Sequence, residues 1–409
     1  MRIAIIGGGI GGLTAALALR RCGFEPTIFE QAPELLEVGA AILMWPNAMR
    51  VLRRLGLSEA VRQRGAVLEQ ALWLRHDGKK LKRFPLPRTD EPAVALHRAD
   101  LQRSLAVALP PESIRLGHAF ARFEDHARGM VAHFADGSAT ECDVLIGADG
   151  LHSRARAQLL NDGQPTDCGY VAWRGVAPQT PKSLPAASAI EIHGRGQRFG
   201  IGPLGFGKVG WWCSVNKNHE LLATPKSASV KDGGSQSQAA QDHATVPERL
   251  RQLFKGWCEP VNELIETTPL TALVRNPVFD RPPVRKWGAG SLTLLGDAIH
   301  PLTPNLGQGG CLAIEDAVVL ARCLEKYAGN APNEKGLAAI HYALRHFEAL
   351  RFSRTATIAR FSRLYGVVGQ WEKPAAAAIR SRLLSTVPTS VVQRMLRWTF
   401  DYDAYEVKI

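Results

Sequence analysis

"RIAIIGGGIGG", Arg2 to Gly12, decides how this chain begins to fold. A short apolar run meets a cluster of glycines. "LTAALALRRCG" then continues with helical spacing and small residues, and ends at Gly23, a C′ glycine on which the helix can close. "EPTIFEQ" is the next strand and closes on Glu30. Strand, turn, helix and strand make one βαβ unit. Its turn carries Gly7-x-Gly9-x-x-Gly12. The first glycine permits the tight turn, the second lets the backbone approach a pyrophosphate, and the third lets helix and strand pack closely. The phosphates then face the positive helix end. Glu30, 18 residues after Gly12, falls where a carboxylate accepts hydrogen bonds from ribose hydroxyls and repels a 2′-phosphate.

A second glycine turn lies far downstream, in "GDAIHPLTPNLGQGGCLAIEDA" at 296–317. "SLTLLGD" ends a strand on Asp297, and "PNLGQGG" leads into a stretch with helical spacing. Asp297 and the helix N-terminus therefore face one region. An acceptor for ribityl hydroxyls beside a ring of backbone N–H groups suits a flavin, whose N1–C2=O edge becomes negative on reduction. The two turns predict two ends of one long cofactor: adenosine at the N-terminus and flavin near 297–311. Gly205-x-Gly207-x-x-Gly210 has the same spacing but precedes the strand-like "WWCSVN", which predicts a hairpin turn and no phosphate site.

The chain has 409 residues, 45% hydrophobic and 22% charged, which is enough for a large core and two domains. The net charge of +12 attracts anions. Its clusters, Arg50/Arg53/Arg54, Arg62/Arg64 and Lys79/Lys80/Lys82/Arg83, are short and dispersed, so solvated faces are expected and not a nucleic-acid partner. The seven cysteines show no CxxC and no metal spacing, so neither disulfides nor a metal site is expected. With a strand starting by Ile3 and no apolar run of roughly 18 residues, a cytoplasmic protein without stable membrane insertion is expected.

Helical stretches follow around 47–64 and 98–109, and 115–145 alternates as strands do. From 168 to 290 come short β-like runs, "YVAWRGVA", "SAIEIHG", "QRFGIGPL" and "VGWWCSV", as in an antiparallel sheet. Residues 226–245 are polar and predict a mobile surface loop, and 310–400 is mostly helical. The tail "RSRLLSTVPTSVVQRMLRW" is mildly amphipathic and basic, and is expected to pack on the core.

With these motifs in order, the chain resembles the FAD-dependent aromatic hydroxylases, the class A flavoprotein monooxygenases. "GADGLHSRAR" at 147–156 resembles their Asp-Gly motif, and "HRADLQRSL" at 97–105 a segment whose arginine contacts FAD. "GAAILMWPNAMRVLRRLGL" is similar to the segment after their second strand. The likeness covers about residues 1–370, and the chain is similar to the zeaxanthin epoxidase, bacterial urate hydroxylase and salicylate hydroxylase-like group. Cys311 stands where many members have Asn, and Gly210 where urate-oxidising members carry Tyr, which argues against urate.

The resemblance implies an α/β composite: a Rossmann-like FAD-binding domain from 1–167 and 291–370, a substrate-binding β-sheet domain from 168–290, and a helical tail from 371–409. It implies non-covalent FAD held by Gly7, Gly9, Gly11, Gly12, Glu30, Gln31, Arg98, Phe120, Asp149, Gly150, Asp297, Pro304, Gly307, Gln308, Gly309, Gly310 and Cys311. NADH or NADPH would reduce FAD, O2 would add at C4a, and the hydroperoxide would hydroxylate or epoxidise a small aromatic substrate, in a monomer or homodimer. No catalytic nucleophile is expected, and His300 is expected to be structural. No Trp-x-Trp-x-Ile-Pro run of a halogenase is present. A flavin oxidase or halogenase, or a non-catalytic FAD-bound protein whose redox state governs a partner, is the alternative. By strand parity Arg198, Gly200 and Gly202 share one face, and Trp211, Cys213 and Val215 another. Arg198 is expected to bind an acidic group of the substrate and Trp212 to stack on its ring. The competing expectation makes Arg198 a surface residue.

Overall fold

The computed structural model describes residues 1–35, 40–126, 129–222, 246–329 and 334–409. The expected loop at 226–245 lies outside them.

Arg2–Ile6 pairs in parallel with Glu25–Phe29 on one side and Val144–Gly147 on the other, at the centre of a six-stranded sheet. Ile3 to Ile6 and Val144 to Ile146 are all buried, as strands covered on both faces must be. The helix Ile10–Arg21 covers one face, and Gly23 closes it at φ +81°. Its small residues let the helix Gly309–Tyr327 come close: a β-carbon at Gly11 would lie 2.8 Å from Leu295 Cδ2 and 3.3 Å from Ala313 Cβ. The two glycine turns are thus neighbours in space.

The second sheet has seven strands. Gln197–Pro203 and Val209–Asn216 form an antiparallel hairpin around a short turn at Gly205–Gly207, as the decoy motif predicts. Thr166–Ala177 and Val274–Asp280 extend it on one side, and Ser188–His193 on the other. Gln70–Arg75 and Lys80–Pro85 complete it, so this sheet recruits residues from well before the expected boundary at 168. One face carries Trp211, Cys213 and Val215 inward with Phe199 and Trp173, over Leu250, Phe254, Trp257 and Leu264. Trp211 stacks on Phe199 with 5.1 Å between ring centroids, and its Nε1 donates to Thr268 Oγ1 at 2.8 Å. The other face, with Tyr170 and Arg198, meets Asn305 in the second glycine turn and Gln370 at the end of the helix Glu334–Gly369.

The long helix Glu334–Gly369 spans both layers and is followed by the helices Pro374–Thr386 and Thr389–Phe400. The tail packs as expected: Arg380 is buried and donates to the carbonyls of Gly369 and Gly194, while Val392 and Phe400 are buried. No described helix is long and apolar enough to cross a membrane.

Candidate active site

The first turn is built by backbone geometry. Gly7 holds φ +107°, and a β-carbon there would sit 2.5 Å from the Ala148 carbonyl oxygen. One at Gly12 would sit 2.0 Å from the Gly7 oxygen, so neither position admits a side chain. At Gly9 no atom lies within 4 Å of that point, and the helix it starts has no side-chain cap. Its first N–H groups are left for a ligand. Glu30 stands beside this opening: Oε2 accepts from Gly8 N at 2.6 Å and Oε1 from Ala32 N at 2.9 Å. Gln31 is exposed next to it. Asp149 accepts from Arg154 N at 2.8 Å, while its buried Oδ1 has no partner among the described residues. Burial pushes its pKa up against those hydrogen bonds. Gly150 follows at φ +76° with open space before it. Phe120 differs from its expected neighbours in that its ring is buried in the main apolar core.

The second turn repeats the arrangement. The helix Gly309–Tyr327 begins after Gln308 without a side-chain cap. Asp297 faces it, with Oδ1 3.7 Å from the β-carbon position of Gly309. This carboxylate is open to solvent only along a recess otherwise walled by protein. Burial there raises its pKa, while His300 and Arg98 pull it down. Gly307 holds φ +62° against Trp45 Nε1, which donates to the Leu306 carbonyl at 3.1 Å. Pro304 opens this short turn on the surface side. Gly310 lies over Ile42 and Met44. Gln308 Nε2 is buried without a partner among the described residues, while its Oε1 accepts from Asn47 at 3.0 Å. Cys311 is fully buried, its Sγ 3.5 Å from the Leu43 carbonyl, and burial pushes its pKa up to about 12. Such a thiol is no nucleophile.

A buried ionic network fixes this loop. His300 Nε2 meets Asp316 Oδ2 at 2.5 Å, and Arg351 Nε donates to Asp316 Oδ1 at 2.6 Å. Glu315 accepts from Arg351 and from both forks of Arg354, each at 2.7 Å, and from Asn47 at 2.6 Å. Burial alone would raise both carboxyls; the arginines, with His300 at Asp316, hold them below the usual range. His300 is tied to Asp316 through Nε2, while its buried Nδ1 has no hydrogen-bond partner among the described residues. Sequence spacing had not signalled the Asn47 or Arg351 contacts, which join separate elements.

Arg98, exposed at the start of the helix Arg98–Val107, lies within electrostatic reach of both Asp297 and Arg174. Arg174 is the residue that the sequence reading missed. It sits on Thr166–Ala177 opposite Trp212, which in turn stands opposite Gly200. Its guanidinium is half-buried and makes no hydrogen bond or ion pair among the described residues. Burial lowers its pKa, and the Arg98 cation lowers it further. Parity along "YVAWRGVA" places it on the face opposite Trp173, which was the available signal. Trp212 is half-buried, and its ring fills the space where a Gly200 side chain would be. Gly202 has open space before it.

Arg198 fits neither expectation. It is 1% exposed, so it is no surface arginine. It is not free either: it donates to Glu191 at 3.1 Å, Gln370 at 3.1 Å and Asn305, and lies over the Trp212 and Tyr365 rings. A buried cation must be paired in this way, and the pairing leaves it unavailable to a ligand.

Two uncapped helix ends in contact, with a carboxylate beside each, form a site for the two ends of one long cofactor, as in the FAD-dependent flavoprotein monooxygenases. The residues fit FAD: the open Gly9, the unpartnered Asp149 and Gln308 atoms and the Asp297 recess all await polar groups. The chain belongs to the FAD binding domain family, whose model matches residues 1–349. It is 37% identical over 401 residues to the aurachin C monooxygenase/isomerase of Stigmatella aurantiaca, covering 97% of each chain. It is 32% identical to the 6-hydroxynicotinate 3-monooxygenase of Bordetella bronchiseptica, covering 88% of this chain and 90% of that one. The solved structure of Klebsiella pneumoniae HpxO with FAD and uric acid superposes with a TM-score of 0.83 at 28% identity, covering 98% and 96%. Enzymes of this class take electrons from NAD(P)H and oxygen from O2.

Proposed function

We propose that the enzyme oxygenates a small planar aromatic or heteroaromatic substrate bearing an acidic or carbonyl group, held between the sheet face and the flavin recess. The supporting observation is Arg174, a half-buried guanidinium without a partner among the described residues, set beside Trp212 and facing Arg98. A partly desolvated cation of this kind is stabilised by an anionic or carbonyl oxygen. Trp212 offers its ring face, and Gly202 leaves room beside it. The names of relatives, 6-hydroxynicotinate and uric acid among them, support a substrate of this chemistry.

When bound, FAD supplies the redox chemistry and the activation of O2. The chain's own task is to hold, orient and exclude water. Glu30 and the first helix end would bind adenosine ribose and pyrophosphate, with Asp149 near the latter. Asp297 and the Gly309–Gly310 N–H groups would hold the ribityl chain and the ring edge that gains negative charge on reduction. Arg98 would contact FAD beside them. The seven free cysteines support a cytoplasmic setting.

Arg174→Met tests the reading. FAD content should stay normal, while NAD(P)H oxidation stimulated by aromatic acids and N-heterocycles should need about tenfold or more substrate, since a charged hydrogen bond carries roughly 1.5–3 kcal/mol. Unchanged substrate dependence would reject it.

A further inference from the structure

Fourteen large hydrophobic residues are exposed among the described residues, and eight of them fall between 361 and 398. They are Phe361, Leu364 and Val367 on the long helix, Ile379 and Leu383 on the next, and Val391, Met395 and Trp398 on the last. The spacings i, i+4 and i, i+4, i+7 of the last two helices put each set on one stripe. Phe361 meets Trp398 edge-on at 6.3 Å, so the stripes of the long helix and the last helix join.

The charges follow the same pattern. Arg360, Arg363, Arg382, Arg394 and Arg397 each immediately precede one of these apolar residues: Phe361, Leu364, Leu383, Met395 and Trp398. All five are exposed, as is Lys373, and Glu372 is the one acidic residue between 360 and 398. The side chains of Arg360, Arg382 and Arg394 make no ion pair among the described residues. Arg363 reaches Asp280 only at 3.4 Å, and Arg397 reaches Asp401 only at 3.8 Å. One position along a helix is a turn of about 100°, so each arginine stands at the border of its stripe. An arginine there lays its stem along apolar surface and keeps its head in the polar layer.

We propose that this C-terminal face docks on an anionic lipid bilayer, lying in the headgroup layer without crossing it. Long aliphatic and aromatic side chains bordered by five exposed arginines, three of them without an ion pair among the described residues, with Glu372 and Asp401 as the acids beside them, match the two halves of such a surface. A second copy of the chain is the poorer occupant. Apposing this face on itself would set cations against cations. The opposite faces of the same helices are packed, with Arg380, Val392 and Phe400 buried, so docking needs no rearrangement. The face would bring the enzyme to substrates that partition into lipid.

Flotation of the FAD-loaded full chain with phosphatidylcholine vesicles, with and without phosphatidylglycerol, tests this. Binding is expected to the anionic vesicles, to weaken with salt, and to be faint on the neutral ones. Arg394→Gln with Arg397→Gln should reduce it about tenfold or more, as should Leu383→Glu with Met395→Glu, with FAD content and thermal midpoint unchanged. Equal binding to neutral and anionic vesicles, or none, would overturn the proposal, and these results need no variant. So would variants that leave vesicle binding intact while converting a dimer to monomers, which would assign the face to a second copy.

Discussion

Arg198, on the antiparallel sheet, donates to the side-chain oxygen of Asn305, in the glycine-rich loop ahead of the helix Gly309–Tyr327. Asn305 Nδ2 also donates to Tyr170 Oη at 3.2 Å and to the Ser362 carbonyl at 3.0 Å. One asparagine thus joins the second sheet, the second glycine turn and the long helix. The spacing between recess and sheet is set by this knot.

Arg198→Met should therefore destabilise the fold and not merely weaken ligand binding. It strands the largely buried Glu191 carboxylate, left with Tyr365 Oη at 2.7 Å and His193 Nε2 at 3.9 Å, and removes the cation between two rings. Breaking a buried ion pair costs roughly 3–5 kcal/mol. Denaturant unfolding of Arg198→Met and Arg174→Met should separate the two residues: the first loses stability, the second keeps it. Equal stability would refute the division of roles.

Asp297→Ala should lose flavin while the apoprotein stays folded, because the carboxylate lines a recess and carries none of the buried network. Glu30→Ala removes a carboxylate that already orders Gly8 N, so it should weaken FAD about ten- to hundredfold, from roughly 1.5–3 kcal/mol. Fluorescence titration with FAD measures both. Full flavin occupancy in the Asp297 variant would contradict the assignment.

His193 gives the fold a pH dependence. It is 1% exposed, neither ring nitrogen has a hydrogen-bond partner among the described residues, and burial lowers its pKa to about 4, aided by Arg380 and Arg198 and opposed by Glu191. Its proton then binds the unfolded chain better than the folded one. This contribution to stability is intact above about pH 6.5 and falls away as pH drops toward 4, by roughly 3 kcal/mol. His193→Gln should flatten that part of the stability–pH curve measured by urea unfolding. An unchanged slope would show that another group titrates there.

The parts of this account legible in the sequence were local. Gly7-x-Gly9-x-x-Gly12 and the 296–317 turn encode backbone shapes within a few residues, and strand parity placed Trp211 and Cys213 inward. What escaped depends on distant partners. Arg198 is neutralised by Glu191 and hydrogen-bonded to Asn305 and Gln370, which come from three separate elements, so its own strand could not reveal that it was occupied. Arg174 stands out only because it has no such partner. Gln70–Arg75 joins the second sheet through pairing with Ser188–His193, more than a hundred residues away. The resemblance makes Phe120 a cofactor contact and does not show that its ring is buried in the core.

A flavin held between the two helix ends is expected to deliver oxygen to an aromatic ring. Oxygen-18 labelling tests it most directly, using the first aromatic acid or N-heterocycle that stimulates NAD(P)H oxidation by the FAD-loaded enzyme. The account predicts a product carrying one atom from 18O2 for each NAD(P)H consumed. Label drawn from water instead, or hydrogen peroxide equal to the NAD(P)H consumed with no oxygenated product, would contradict it.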